Sequence, residues 1–350
     1  MNLKDLLNTL GALLVGILML NSCSTDLDVN APYKEYTIVY GTIDQSVDTQ
    51  WIKINKSFLG DGSAFDYAQI RDSNEYSDDD LIVEVQQWEH NGPQIATFPL
   101  QQTVVNNVEP GIFYYPDQKV YFFVQSDVDQ DNDYRIVGTA KGKEFSSETA
   151  VVNDFTIDRP QQLAGSITLA TGLGNYTEYG VEWRSAKNGK RYEVFYEFMW
   201  NEVTISGSEL KSLTRKIVTR KSSGTNGGED LGGIIGGEDF YKYIANNVAE
   251  DPDVIRREFV GMDFIFDAAD DILNTYMELN EPVTGVVQDR PTFTNINNGL
   301  GIFVSRYTKI VVDKKLNTNS LDELANGQYT APLLFCSPDP AHNGTSYGCF

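Results

Sequence analysis

Four aspartates at alternate positions, Asp127, Asp129, Asp131 and Asp133, form the chain's most concentrated set of ligating side chains. Calcium takes several oxygens from a flexible loop, and an alternation of this kind supplies them. An EF-hand loop also wants glycine at its sixth position and glutamate at its twelfth. Here those places hold Asn132 and Gly138. The match is partial, and two readings stay open: a calcium-binding loop, or an acidic hairpin loop between two strands. The remaining chemistry is sparse. The two histidines, His90 and His342, lie in turn-like segments, so a Ser-His-Asp or Cys-His triad is poorly supplied. Paired carboxylates for sugar hydrolysis must face one cleft, and among 50 acidic residues the sequence singles out no such pair. The run Gly232-Gly233-Ile234-Ile235-Gly236-Gly237 precedes a helical pattern. A glycine loop at a helix N-terminus can cradle phosphate, but no Lys-Ser/Thr pair follows as in a P-loop. The run is expected to be a mobile surface loop, and the chain is expected not to be an enzyme.

The three cysteines carry the next information. Lys4 precedes an apolar run from Leu10 to Leu20, which ends in Leu20-Asn21-Ser22-Cys23. A charged start, a short apolar stretch and a small residue before the cut describe a secretory signal. The stretch is too short for a transmembrane helix. Ser22 before Cys23, with Leu20 three before it, fits a bacterial lipobox. Cys23 is then the lipidated first residue of the mature protein, and multiple acyl chains anchor stably at a membrane surface. A plain signal peptide with a chance cysteine is the alternative. Cys336 and Cys349 bracket a polar turn, and in an exported protein such a pair forms a disulfide. A metal site using His342 in that turn needs further ligands.

Composition narrows the partners. Asp and Glu total 50 against 27 Lys and Arg, a formal charge of -23. Removing Lys4 and Asp5 with the signal leaves that balance unchanged. Such a surface repels nucleic acid phosphates and anionic lipid, so no nucleic-acid partner is expected. The 19 Tyr, 18 Phe and 4 Trp, with frequent Val, Ile and Thr, favour strands.

The elements that must position these residues read as two β-rich parts. Residues 1–22 are the signal and 23–34 a lipid-anchored linker. Residues 35–158 carry about seven short strands with turn signals between them, which predicts an immunoglobulin-like or prealbumin-like β-sandwich without helices. A segment from Ile95 to Val105 is expected to pair back on the strand at Leu81–Trp88. Residues 159–350 form a second β-rich domain with a few short helices, at Glu238–Ala249 and Asp270–Leu279, and the C-terminal disulfide. The segment from Arg191 to Trp200 alternates Tyr192, Val194, Tyr196, Phe198 and Trp200 on one side, facing either a core or a partner.

The chain resembles a family of Bacteroidota outer-membrane lipoproteins defined by an uncharacterised domain and often encoded beside TonB-dependent transporters. The acidic Asp26-Leu27-Asp28 after Cys23 resembles the surface-export signal of such lipoproteins. The strand Thr37–Ile43 leads into Ile52–Ser57, and Tyr115-Pro116-Asp117 stands where the family has Pro-Gly, with Asp117 departing from that glycine. Near the end, Asn295-Ile296-Asn297-Asn298-Gly299-Leu300-Gly301-Ile302-Phe303 matches the family's closing element. Physically, Gly299 and Gly301 permit close backbone approach or positive φ, and Ile302 and Phe303 return to the core; a ligand loop is the alternative.

The resemblance implies a lipid-anchored outer-membrane protein facing the cell exterior, with a TonB-dependent transporter as partner and no catalytic residues. The expectation is therefore a non-catalytic surface binding protein. A structural or assembly accessory of the outer membrane, and a surface hydrolase on glycans or peptides, are the alternatives. No cofactor is expected, calcium at the aspartate loop apart.

Overall fold

The computed structural model describes residues 35–58, 63–163, 165–281, 292–338 and 349. Cys23, and with it the signal and the linker, lies outside the described residues, as does His342. The fold is mainly β, with short helices.

The N-terminal strands are β1 (Thr37–Asp44), β2 (Thr49–Lys56), β3 (Leu81–Glu89), β4 (Gln94–Pro99), β5 (Gln101–Asn106), β6 (Asp117–Val124), β7 (Asn132–Ala140) and β8 (Lys143–Ala150). Next come the short β9 (Ile157–Arg159), β10 (Ala170–Gly172) and β11 (Asn175–Tyr176), then β12 (Glu178–Arg184), β13 (Arg191–Thr204), β14 (Gly207–Lys221) and β15 (Asp230–Gly236). The long β16 (Val254–Ala269) and β17 (Gly299–Lys314) complete the strands. The described residues also hold five α-helices, α1 (Ala64–Ala68), α2 (Arg71–Asn74), α3 (Gly237–Asn247), α4 (Asp271–Asn280) and α5 (Thr318–Asn326), and a short 3-10 helix at Ala331–Leu333.

One eight-stranded sheet, ordered β14-β13-β16-β17-β1-β2-β6-β5, takes strands from both halves of the chain. The parallel pairing of β1 with β17, in the middle of the sheet, joins the two sets of strands. Two smaller sheets pack on it. The four-stranded β4-β3-β7-β8 encloses a core of Val39, Ile52, Ile54, Phe123, Ile136 and Phe303. The three-stranded β15-β12-β9, with α3 and α5, encloses a second core around Trp183, Tyr196, Phe198, Phe240 and Phe264. The two cores divide between Val151 and Val152, except that Ile296 and Phe303 return to the first. The sequence-derived boundary at 158/159 falls inside β9. Residues 36–350 form one compact unit because β17 serves both cores.

The alternating run on β13 faces a core: Tyr192, Val194, Tyr196, Phe198 and Trp200 are all buried. Period-two alternation puts these five on one side of the strand, and the second core receives them.

Three local expectations are corrected. The sandwich, expected to be without helices, carries α1 and α2 between β2 and β3. Ser63 caps α1 by accepting from the Phe65 N–H. The strand expected from Ile95 to Val105 breaks at Leu100, so that β4 stays with β3 while β5 crosses to β6 in the other sheet. The glycine run is a strand, β15, paired along β12. Its glycines answer to crowding: a Cβ on Gly233 would lie 2.6 Å from Val218 Cγ1, and one on Gly237 would lie 2.0 Å from the Leu169 carbonyl oxygen.

The closing element is also structural. Gly301 has φ +93°, and a Cβ there would lie 2.0 Å from the Val39 carbonyl oxygen. Only glycine fits so close to β1. Ile302 and Phe303 are buried.

Candidate functional site

The outer face of the eight-stranded sheet is exposed where β1, β2 and β6 meet. On β2, Ile52 and Ile54 point into the first core, so Trp51, Lys53 and Asn55 point the opposite way. On β1, Val39 and Ile43 point inward and Tyr40 outward. Cross-strand register then aligns Tyr40 with Lys53 and Trp51 with Phe122. The Trp51 and Phe122 rings are 5.2 Å apart, and Tyr40 meets Tyr276 of α4 edge-on at 6.3 Å. Trp51 is 49% and Tyr40 45% exposed. The indole of Trp51, with the Phe122 ring packed against it, is thus left half-exposed on this face.

A cavity lies at each end of this face. At the Trp51 end, about 420 Å³ is lined by Thr42, Asp44, Val47, Asp48, Trp51 and Arg306, among others. Asp44 and Arg306 are register partners on β1 and β17, and Arg306 Nε donates to Asp44 Oδ2 at 2.6 Å. The backbone turn beneath is fixed by Gln50, whose Oε1 accepts from the Asp44 N–H at 2.8 Å while its Nε2 donates to the Asp44 carbonyl at 2.9 Å.

At the other end, about 200 Å³ is lined by Lys53, Asn55, Arg71, Glu75, Phe113 and Asp117, among others. α2 presents Arg71 and the residue after it presents Glu75. Glu75 is the hub: it accepts from Arg71 Nε at 2.6 Å and from the Lys119 N–H at 2.6 Å, and Lys53 Nζ stands 3.4 Å away. Burial pushes the Glu75 carboxyl up, but these donors and cations outweigh it and hold it below the usual range. Burial lowers Lys53, and Glu75 opposes that shift. Asn55 Oδ1 is buried with no hydrogen-bond partner among the described residues.

The residues singled out in the sequence lie elsewhere. Asp129 is spent within its own loop, accepting from the Asp131 N–H at 3.0 Å and from Asn132 Nδ2 at 2.9 Å. Asp133 sits in β7 beside His90, whose Nδ1 is 3.0 Å from Asp133 Oδ2. Among the described residues, no three His, Cys, Asp or Glu side chains gather as a metal site. Cys336 and Cys349 form a disulfide, as their spacing led us to expect. Asn295, Gly299, Gly301 and Phe303 join β17 to β1 and lie away from both cavities. Sequence reasoning missed the outer face. Its one signal was Trp51 alternating with Ile52 in a strand whose other side is aliphatic. Among the described residues no helix is long and apolar enough to cross a membrane.

No protein-family model matches the chain. No curated protein matches it either. Among solved structures, it is weakly similar to the C-terminal globular domain of an oligosaccharyltransferase from Pyrococcus abyssi, at 10% identity and a TM-score of 0.19. That match covers 82% of this chain and 52% of the other, so the chain spans about half the length of that structure. A likeness of this size carries no argument about function.

Proposed function

We propose that this is a non-catalytic binding protein whose ligand surface is the outer face of β1, β2 and β6. The observation that carries the reading is the half-exposed Trp51, packed on Phe122 and lining the cavity at its end of the face. Aromatic side chains with two rotatable bonds offer large contact area at low entropic cost, which is why they dominate binding surfaces.

The same proposal places the protein at the outer membrane through a lipid on Cys23, facing the cell exterior. Support for the anchor is the lipobox-like Leu20-Asn21-Ser22-Cys23 and the acidic residues after it. The resemblance to lipoproteins encoded beside TonB-dependent transporters supplies the partner: the protein presents cargo to such a transporter. A mild-detergent pull-down from native membranes, with a tag after Phe350, tests this. Recovery of a TonB-dependent transporter in near-equal amount is the expected result. Recovery of the protein alone would remove the transporter from the account.

A further inference from the structure

We infer that the edge of β14 between Gly207 and Leu213 pairs antiparallel with the same edge of a second copy of this chain, about a two-fold axis at Leu210. The inference goes beyond the ligand-binding reading and does not depend on it.

β14 ends the eight-stranded sheet, with β13 on one side and no strand on the other among the described residues. The two residues Ile205 and Ser206 turn the chain, and Thr204 faces Gly207 across the turn. A two-residue turn makes that first pair a hydrogen-bonded one. Every second residue from Ser208 onward therefore aims its N–H and C=O away from β13: Ser208, Leu210, Ser212 and Thr214. The Thr214 carbonyl accepts from the Tyr243 hydroxyl of α3 at 2.9 Å, which agrees with that alternation and ends the open stretch. The open edge thus runs from the turn to Leu213, with Leu210 at its midpoint.

This stretch lacks the devices that protect an edge. It holds no proline, and the bulge in the β13–β14 pairing lies beyond it, beside Val194 and Phe195. Its one lysine, Lys211, is neutralised by Glu209 at 2.7 Å, and Leu210 is 58% exposed. An open edge of this kind is a template for another strand.

The side chains select a second copy as that strand. Ser208-Glu209-Leu210-Lys211-Ser212 reads as its own complement in reverse. In an antiparallel pair centred on Leu210, Ser208 meets Ser212 of the second copy, Glu209 meets its Lys211, and Leu210 meets its own equivalent. Opposite charges and apolar side chains set directly across are the pairs that stabilise a sheet. The charges gather on one face and the two leucines on the other. The residues whose backbone groups point outward are the ones that face each other, so each such pair exchanges both of its N–H···O bonds. A two-fold contact closes on itself, and pairing stops at two copies. The formal charge of -23 repels a second copy at long range. Salt screens that repulsion beyond about 8 Å at physiological strength, and the paired stretch, with one Glu and one Lys, is itself neutral. The contact is small, so the pair is weak and transient.

The test is disulfide trapping in the full chain in detergent. Leu210→Cys, Ser208→Cys and Ser212→Cys are each oxidised mildly, and dimer is read on a non-reducing gel above the wild-type background. Facing Cα atoms of a hydrogen-bonded pair lie about 5.5 Å apart, within disulfide reach, whereas Ser208 lies about 14 Å from its own equivalent, four residues along the strand. The expected result is that Leu210→Cys traps a dimer alone. Ser208→Cys and Ser212→Cys should each fail alone and succeed as an equimolar mixture. In the Leu210→Cys background, Glu209→Lys sets like charges across the pair and should cut the trapped dimer at least fivefold, and adding Lys211→Glu should restore it to within about twofold. Should Leu210→Cys fail to fold, the Ser208→Cys and Ser212→Cys mixture carries the test of register. No dimer from Leu210→Cys or from the mixture overturns the inference. Equal trapping by all three single variants marks random collision and overturns it too, as does trapping indifferent to the charge reversal.

Discussion

The side-chain amide of Asn295 holds the backbone of Phe303 from both ends: its Nδ2 donates to the Phe303 carbonyl at 2.7 Å and its Oδ1 accepts from the Phe303 N–H at 2.9 Å. At this point β17 is paired with β1 on one side, whereas the pairing with β16 begins only at Arg306. The amide stands in for the missing strand. Asn295→Ala leaves two backbone groups without partners beside a fully buried ring, at about 1–3 kcal/mol each. Urea unfolding is expected to show a loss of about 2–6 kcal/mol by the same reasoning. An unchanged midpoint would show that the clamp is dispensable.

Gly301 should be the least replaceable residue of the closing element. Its φ is +93° and an added methyl group would meet the Val39 carbonyl oxygen. Gly301→Ala is expected to destabilise by more than about 3 kcal/mol, because strain at a special φ and a backbone clash add. Gly174, also at positive φ but with open space around it, is the control, and Gly174→Ala is expected to lose about 1 kcal/mol. Thermal melts of the two variants side by side decide this.

Asp270 predicts a pH dependence. It is 6% exposed and ties three elements: its carboxylate accepts from the Leu273 N–H at the start of α4, the Ser305 N–H of β17 and the Thr149 hydroxyl of β8. Burial outweighs these donors and pushes it up to about 6. The folded value lies above the unfolded one, so the protonated form favours folding. Its contribution is therefore complete below about pH 4 and is lost as pH rises through about 6. The stability difference between wild type and Asp270→Asn should grow by about 3 kcal/mol from pH 7 to pH 4. Glu75 and Glu193, both held below the usual range, act in the opposite sense, but they are common to both proteins and cancel. Urea midpoints across that range measure it, and a flat difference would contradict it.

The Cys336–Cys349 disulfide closes a loop of 13 residues. The backbone N–H of Cys336 donates to the Arg257 carbonyl at 2.8 Å, so the bridge ties Cys349 to a residue held on β16. Cys336→Ser with Cys349→Ser is expected to lose about 3 kcal/mol, seen as a melting temperature lower by a few degrees. Reduction of the wild type should reproduce the shift, and a melt insensitive to reductant would contradict it.

These features were unequally legible in the sequence. The mainly β fold, the disulfide and the long alternating strand at Arg191–Trp200 follow from period-two patterning and cysteine spacing, which are local signals. The closing element announced its own role, since Gly299 and Gly301 are residues that close approach demands. The glycine run misled for the same reason in reverse: Gly233 is small because Val218 crowds it, which is a contact between distant strands. For the aspartate loop, spacing in sequence does not say where carboxylates point, and in the structure Asp129 and Asp133 have different partners. The outer face was invisible because Tyr40, Trp51 and Phe122 come from three strands, and only the β1–β2 and β2–β6 register brings them together.

The most direct test of the central claim is a comparison of Trp51→Ala with Trp88→Ala in affinity for one panel of neutral oligosaccharides and extended peptides. Trp88 lies in the other sheet, with the Arg135 guanidinium 4.1 Å over its ring, and serves as the control. A buried aromatic anchor contributes about 2 kcal/mol or more to binding. Trp51→Ala is therefore predicted to lose at least tenfold in affinity while Trp88→Ala keeps it. Equal affinities in the two variants, or a loss confined to Trp88→Ala, would contradict the assignment of the outer face as the binding surface.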